Sequence, residues 1–379
     1  MAAFTLEDRQ LLASSIERFA AERYGFEHRR RLLASPEGFG REEWRRYAEL
    51  GWLGMPMPEA FGGAEAGLAE TALILEAFGR SLMLEPYLAT VVLGAGLVEL
   101  VGDEAQREEI LPAVSDGSLL LALAHAEPDA GMSREWVRAT AVQSGGAFLL
   151  NGEKTAVLAG GHADRIIVSA RIGGIAGPLA LFLVDNTAPG LGIIDARTVD
   201  ARGVARLTLE NVSVPSTSRL AASAAEPALS AILDKATALV CAEALGAMEA
   251  INRETIAYLK TRHQFGKAIG SFQVLQHRLV DMNIALISSR AIVGAAIEAI
   301  DAGAPEATRV VSAAKVKIGR AARFVGEQGV QLHGGMGMAD ELQVGSHYKR
   351  LLMIDSLFGD ADWHLDRLAD GASKEPADQ

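Results

Sequence analysis

The sequence predicts a mainly α-helical chain with a β domain in its middle: an N-terminal helical domain, an antiparallel β domain, and a C-terminal four-helix bundle. Three observations carry this expectation. Helical apolar spacing fills both ends of the chain, while short runs rich in Val, Ile, Leu and Thr, separated by glycine turns, occupy the middle. The stretch Arg262 to Met282, RHQFGKAIGSFQVLQHRLVDM, then marks a corner between two long helices.

Length and composition set the outer bounds. At 379 residues, two or three domains are expected. Apolar residues make up 49% and the mean hydropathy is slightly positive, which suits a large core and points to buried subunit interfaces. The net charge is −12 with no basic run, an argument against nucleic acid or an anionic membrane as partner. One cysteine, Cys241, cannot form an internal disulfide, so the chain fits a reducing compartment. The longest apolar run, Leu88 to Val98, is shorter than the roughly 20 residues of a membrane span. Glu7, Asp8 and Arg9 stand where a signal peptide needs an apolar run. The expectation is a cytoplasmic protein with no membrane partner.

In order along the chain, residues 1–117 form the expected helical domain. Thr5 and Asp8 make a capping box before a face of Leu12, Ile16 and Phe19. A second face holds Trp44, Tyr47, Ala48 and Leu50 and closes at Gly51. The segment GMPMPEAFGG (54–63) is all breakers and is expected at the surface. Glu70 to Gly102 is helical again, interrupted near Pro86. A β domain is placed at 118–222, with antiparallel strands in LLLALAH, RATAVQ, GAFLLNGEK, RIIVSAR, ALFLVD, LGIID and VARLTLENVSVP. Gly145-Gly146 and Asn151-Gly152 are its hairpin signals. After a linker near 223–227, the bundle fills 223–379. One helix ends near Thr261, a second near Gly303, a third at Gly334-Gly335, and the last covers Glu341 to Leu357.

The corner carries the chemistry. Gly266 and Gly270 break the helix, Ser271 stands in an N-cap position, and an apolar seam starts: Phe272, Leu275, Leu279, Met282, Leu286, Ser289, Val293, Ala296 and Ile300. A cation, an aromatic and an amide (Arg262, Phe265 and Gln273) crowd one place, where a flat anionic ligand could sit.

With these residues in hand, the chain resembles the acyl-CoA dehydrogenase family along nearly its whole length. AEP (126–128), NGEK (151–154), NVSVP (211–215), RHQFGKAIGSFQ (262–273) and QLHGGMG (331–337) fall where that family has its signatures. The resemblance implies FAD and the oxidation of an acyl-CoA thioester to the trans-2-enoyl-CoA, a carboxylate taking the α-proton while the β-hydride passes to flavin. It further implies that the bundle corner grips the ADP half of a neighbouring subunit's cofactor. Arg262 would meet the pyrophosphate, Phe265 the adenosine side and Gln273 the ADP portion. Gln331, Gly334 and Gly335 would let backbone approach. His263 and His333 are expected as packing or surface residues, with no metal site.

Elsewhere the chain departs from the family pattern. Ala126 replaces a Thr, Met132 a Ser, Ala156 a large aromatic, and Leu158 a Ser or Thr, all contacts to the flavin ring or substrate. The usual positions of the catalytic base fall on Phe358 and, in a minority of the family, on Ala236. An Arg that often meets the CoA arm, three residues after Asp234, is Thr237. The resemblance is strongest to small subunits of pimeloyl-CoA-type, heteromeric dehydrogenases. It implies a degenerate partner in a heterotetramer with a paralogous large subunit, with electron-transfer flavoprotein as an acceptor. Two alternatives stay open: a self-sufficient homotetramer with a displaced aspartate (Asp355, Asp360, Asp362 or Asp234), or a flavin-free structural protein.

Overall fold

The computed structural model describes residues 4–220 and 225–374. Its helices are α1 (Leu6–Arg23), α2 (Phe26–Leu33), α3 (Arg41–Glu49), α4 (Leu68–Ser81), α5 (Gly96–Val101) and α6 (Glu104–Ser115). Strands β1 (Leu121–Ala124), β2 (Thr140–Ser144), β3 (Ala147–Leu158), β4 (Arg165–Ile172), β5 (Leu179–Asp185), β6 (Leu191–Arg197), β7 (Gly203–Pro215) and β8 (Arg219–Leu220) follow. The remainder is α7 (Ala225–Thr261), a small hairpin of β9 (His263–Gln264) and β10 (Lys267–Ala268), then α8 (Gln273–Asp301), α9 (Ala307–His333), α10 (Gln343–Ser356) and α11 (Ala361–Lys374).

By contacts the described residues group into two compact units: 32–66 with 84–220 and 225–236, and 4–31 with 67–83 and 237–374. The expected boundary at 222–223 lies outside the described residues. Residues 225–227 of the expected linker are already the first turn of α7.

The first unit is built on a mixed sheet of order β6-β7-β3-β2-β4-β5-β8, with β1 pairing β4. All seven expected strands form. The expectation of purely antiparallel pairing needs correction, because β4 runs parallel to both β1 and β2. Gly145-Gly146 does turn β2 into antiparallel β3. Asn151-Gly152 does not turn the chain. It lies inside β3 at a register shift against β7, where Asn151 Nδ2 donates to Asn211 Oδ1 (3.1 Å) and Asn211 N donates to Asn151 Oδ1 (2.8 Å). Asn211 takes φ +52°, and the extra residue flips the strand's parity, so Leu209 and Val212 both face the core. Gly152 is required because a Cβ there would come 2.8 Å from Ala139 Cα.

The expected surface loop 54–63 is half buried: Met55 and Met57 sit in the core. It can be buried because its backbone bonds to itself and to the residues just after it, with Gly63 N donating to Pro58 O and Ala66 N to Met55 O (3.1 and 2.9 Å). Past Pro86 the chain runs as a fully buried π-helix, Leu88–Ala95, which the apolar run alone did not reveal. Thr90 fixes it to the sheet, its hydroxyl donating to Leu121 O (3.0 Å).

The second unit packs α1 and α4 with the bundle helices. The Thr5–Asp8 capping box forms and buries Ile16 and Phe19. No residue of the expected α8 seam is exposed, and Met282, Leu286, Ser289, Val293 and Ala296 are fully enclosed. Ser271 does not cap α8. It belongs to a 3₁₀ turn, its hydroxyl donates to Ala268 O (2.8 Å), and Phe272 holds the cap position. A fifth helix, α11, follows the four expected ones, its first turn held by Asp360 Oδ1 accepting from Trp363 N (2.8 Å). Among the described residues one helix, α8, is long and apolar enough to cross a membrane by length and composition, although only 28% of its most apolar window is buried.

Candidate functional site

In the first unit, the AEP and NGEK motifs meet in a buried polar chain. Lys154 on β3 is fully enclosed, and its ammonium donates to Glu127 Oε1 (2.7 Å), Ser169 Oγ (2.9 Å) and the carbonyl of His125 (3.2 Å). That satisfies all three ammonium donors. Glu127 also accepts from two backbone amides, that of Ala139 at the same Oε1 (3.0 Å) and that of Arg138 at Oε2 (2.7 Å). Burial alone would raise this carboxyl. The Lys154 charge and these hydrogen bonds hold it below its usual range instead. His125 completes the chain: Ser169 Oγ, accepting from Lys154, can donate to Nδ1 (3.0 Å), while Nε2–H donates to Arg134 O (3.0 Å). Burial, reinforced by Lys154, pulls the imidazole down to about 4, so it is neutral at pH 7.

Reading the sequence named both motifs but not this pairing, which spans 27 residues between Glu127 and Lys154. Its consequence for the site is direct. His125 and Glu127, on either side of Ala126, are engaged inside the sheet, and positions 126 and 156 are themselves aliphatic. Ala126 O accepts from Thr155 N (2.9 Å), closing the two segments together. Ala156 sits at a second bulge of β3 with φ +51° and points outward, Leu158 is half-buried, and Met132 is 40% exposed. No side-chain hydrogen-bond donor stands at 126, 132, 156 or 158 to hold a polar ring. Ala236 is completely buried on α7, and Asp234, two residues before it, is ion-paired to Arg134 (2.6 Å).

In the second unit, the hairpin β9–β10 and the end of α9 form the other candidate half-site. Arg262 closes α7, its amide donating to Tyr258 O (2.8 Å). Phe265 is 89% exposed with φ +54°, beside Gly266 at φ +78°. An aromatic residue in the left-handed region that its own chain does not bury is costly on both counts. It makes only an edge contact with Phe272 (centroids 6.1 Å apart), whose ring also carries Lys267 (4.2 Å). Gln273 and Gln331 are exposed at the start of α8 and near the end of α9. Tyr258 stacks on His333 (centroids 4.5 Å apart), which joins the two ends spatially. His333 is therefore a packing residue, its Nδ1 donating to Gly329 O (2.8 Å). Gly334 needs glycine for its φ of +64°; Gly335 has no such need, and a Cβ on either would touch nothing. The chain's own packing leaves this backbone open. A nucleotide diphosphate fits such a place, with a guanidinium, an aromatic face and two amides presented to solvent.

Phe358 lies at φ +60° in the loop after α10, held by Lys315, whose buried ammonium donates to the carbonyls of Asp355, Leu357 and Gly359 (2.9, 2.7 and 2.6 Å). No carboxylate occupies that position. Asp355, Asp360 and Asp362 line a cavity of about 240 Å³ with Arg320 and Arg323. Asp360 caps α11, and Asp355 faces Arg323 at 3.8 Å. Cys241 is buried packing, its thiol pushed up to about 12 by burial. No metal-binding cluster occurs among the described residues.

Three family models, the N-terminal, middle and C-terminal domains of acyl-CoA dehydrogenase, match residues 6–118, 122–212 and 227–373. The chain is 30% identical over 348 residues to the acyl-CoA dehydrogenase IpdE2 of Mycobacterium tuberculosis, covering 91% of each. In structure it is similar to the ChsE4–ChsE5 complex of M. tuberculosis (TM-score 0.90, 28% identity, full coverage of both chains). It is also similar to a variant of the Tcur3481–Tcur3483 steroid acyl-CoA dehydrogenase (TM-score 0.88, 30% identity, 97% of this chain and 99% of that one). The chain belongs to the acyl-CoA dehydrogenase family, flavoprotein oxidoreductases acting on the CH–CH bond of acyl-CoA thioesters.

Proposed function

We propose that this chain is the degenerate subunit of a heteromeric, FAD-dependent acyl-CoA dehydrogenase. It packs against a paralogous large subunit and contributes Arg262, Phe265, Gln273, Gln331, Gly334 and Gly335 to the ADP end of that subunit's FAD. The bound cofactor supplies the hydride acceptor. This chain's residues bind and orient its nucleotide tail, the guanidinium by paired hydrogen bonds to diphosphate oxygens and the glycines by backbone approach. The observation that carries the reading is an asymmetry. The outward hairpin is intact and exposed, whereas positions 126, 132, 156 and 158 carry no side-chain donor and positions 236 and 358 no base.

Two relatives supply the analogy: one is described as a complex of two chains and the other carries two chain names with a steroid activity. We extend from them a two-gene assembly acting on an acyl-CoA thioester in the cytoplasm, with electron-transfer flavoprotein as acceptor. The test is to purify the chain alone and with its paralogue, then measure flavin per chain and dehydrogenation with an artificial acceptor. Alone it should be colourless and inactive; a yellow, active homotetramer ends the proposal. Arg262→Ala should lower flavin occupancy of the assembled complex by about tenfold, the loss expected when a charge-assisted pair to a diphosphate is removed. An unchanged occupancy favours a flavin-free structural role.

A second reading, a self-sufficient enzyme with a displaced base, draws on one feature. Asp355 Oδ1 is buried without a hydrogen-bond partner. Asp355→Asn tests it: turnover by the unpaired chain that vanishes in this variant supports the displaced base.

A further inference from the structure

Glu254 and Tyr258 on α7 and Arg262 just past its end recur every fourth residue, offset by about 40° per step, so they form one stripe leading to the β9–β10 hairpin. The two upper members touch both ends of a single loop. Tyr258 stacks on His333, the last residue of α9, with ring planes 25° apart. Glu254 sits close enough to Gln343, the first residue of α10, for that side chain to draw its carboxyl down against the burial that raises it. Between those anchors runs the connection 334–342, a 3₁₀ turn over Gly334–Met338 followed by four more residues, which presents Gly334 and Gly335. Its middle is pinned as well, since a Cβ on Gly337 would come 2.6 Å from the carbonyl oxygen of Val330. Burial pushes the Glu254 carboxyl up to about 7 and leaves Oε1 without a hydrogen-bond partner, so an acid is kept here at a cost to stability.

We infer that Glu254 and Tyr258 are positioning residues: a clasp that fixes the loop 334–342 relative to the Arg262 hairpin, and so sets the diphosphate-binding geometry of the corner. This rests on the proposed role of that corner in holding the nucleotide half of a flavin. A nine-residue connection whose only regular structure is one 3₁₀ turn with two open glycines would otherwise sample other conformations, and each would have to be suppressed on binding. Tying both its ends to the helix that carries the arginine removes that cost before the ligand arrives.

The experiment uses the purified complex and four variants: Tyr258→Ala, Tyr258→Phe, Glu254→Ala and Glu254→Gln. Amide exchange of 334–342 is followed without added nucleotide, and ADP is the binding probe. Both alanine variants should raise exchange in this loop by about tenfold while the global unfolding midpoint stays near that of the parent. They should weaken ADP binding by about tenfold. Phe at 258 keeps the ring and Gln at 254 keeps a polar side chain of the same length beside Gln343, so both should restore loop protection and affinity. Unchanged exchange in the alanine variants overturns the clasp. So does a rise spread over the whole bundle, or conservative variants that behave like alanine. Arg262→Ala separates the two claims: it should weaken ADP binding by about tenfold and leave loop exchange untouched. If it binds ADP normally, the proposed role of the corner fails, and the exchange data still decide the clasp.

Discussion

Lys154 has no solvent contact, and a charge there survives only because Glu127, Ser169 and the His125 carbonyl take its three donors. Lys154→Met would strand the Glu127 carboxylate in the sheet. We expect a loss of about 3–5 kcal/mol, read as a lower denaturant midpoint, with part of it recovered on adding Glu127→Gln. The same cluster sets an acid limit. His125 has its proton affinity lowered in the fold, to about 4, so between pH 6.5 and 4 the unfolded chain binds a proton that the folded chain refuses. Glu127 has its pKa lowered, so its stabilisation is present above the ordinary carboxylate range and is lost as pH falls through the folded value. Both signs agree. His125 alone should cost about 3 kcal/mol of stability between pH 6.5 and pH 4; His347, also lowered to about 4 by burial, adds to that fall, and Glu254, raised to about 7 by burial, opposes it. His125→Gln should flatten that slope in thermal melts between pH 6.5 and 5; an unaltered slope would assign it to other groups. None of this was legible in the motifs, because a sequence lists Glu127 and Lys154 without saying that one sheet brings them to 2.7 Å.

At the scale of elements, helix packing in the second unit turns on two glycines. A Cβ on Gly79 of α4 would overlap the carbonyl of Glu243 on α7, and one on Gly246 of α7 would overlap the carbonyl of Glu76 on α4. The reciprocal notch lets the two backbones approach closely, and Arg80 then reaches Glu249 (2.9 Å). Gly79→Ala should destabilise by several kcal/mol despite the better helix propensity of alanine, about the size of an overpacked core. Gly294→Ala on α8 meets nothing within 4 Å and should instead stabilise by about 0.5–1 kcal/mol. Equal shifts of unfolding temperature in the two variants would contradict this account. Spacing placed α7, α8 and α9 to within a few residues, because their seams repeat locally. The π-helix Leu88–Ala95 escaped notice because apolar residues on every face erase the period that tells one helix type from another.

For the whole molecule, α8 is the informative element. One side is the seam that enters the bundle. Another side exposes Val280, Ile284 and Ile287, all above half exposed. An apolar face of that kind suits the subunit packing of the proposed assembly. Ile284→Lys together with Ile287→Glu should abolish association with the paralogue in sedimentation experiments and leave the far-ultraviolet spectrum intact. Persistence of the native complex would move the interface elsewhere.

What the sequence determined by itself was everything governed by neighbours along the chain: capping of α1, the seam of α8, the seven strands, and the family to which the corner and its glycines belong. Those signals are short in range, set by side-chain periodicity and by the dihedral demands of Gly and Pro. Only the tertiary structure decided that β4 runs parallel to β1 and β2, that Asn151-Gly152 is a bulge rather than a turn, and that Tyr258 of α7 stacks on His333 at the end of α9. Each of these depends on pairing between segments far apart in the chain, and the free energy of such pairing is a property of packing that no local pattern encodes.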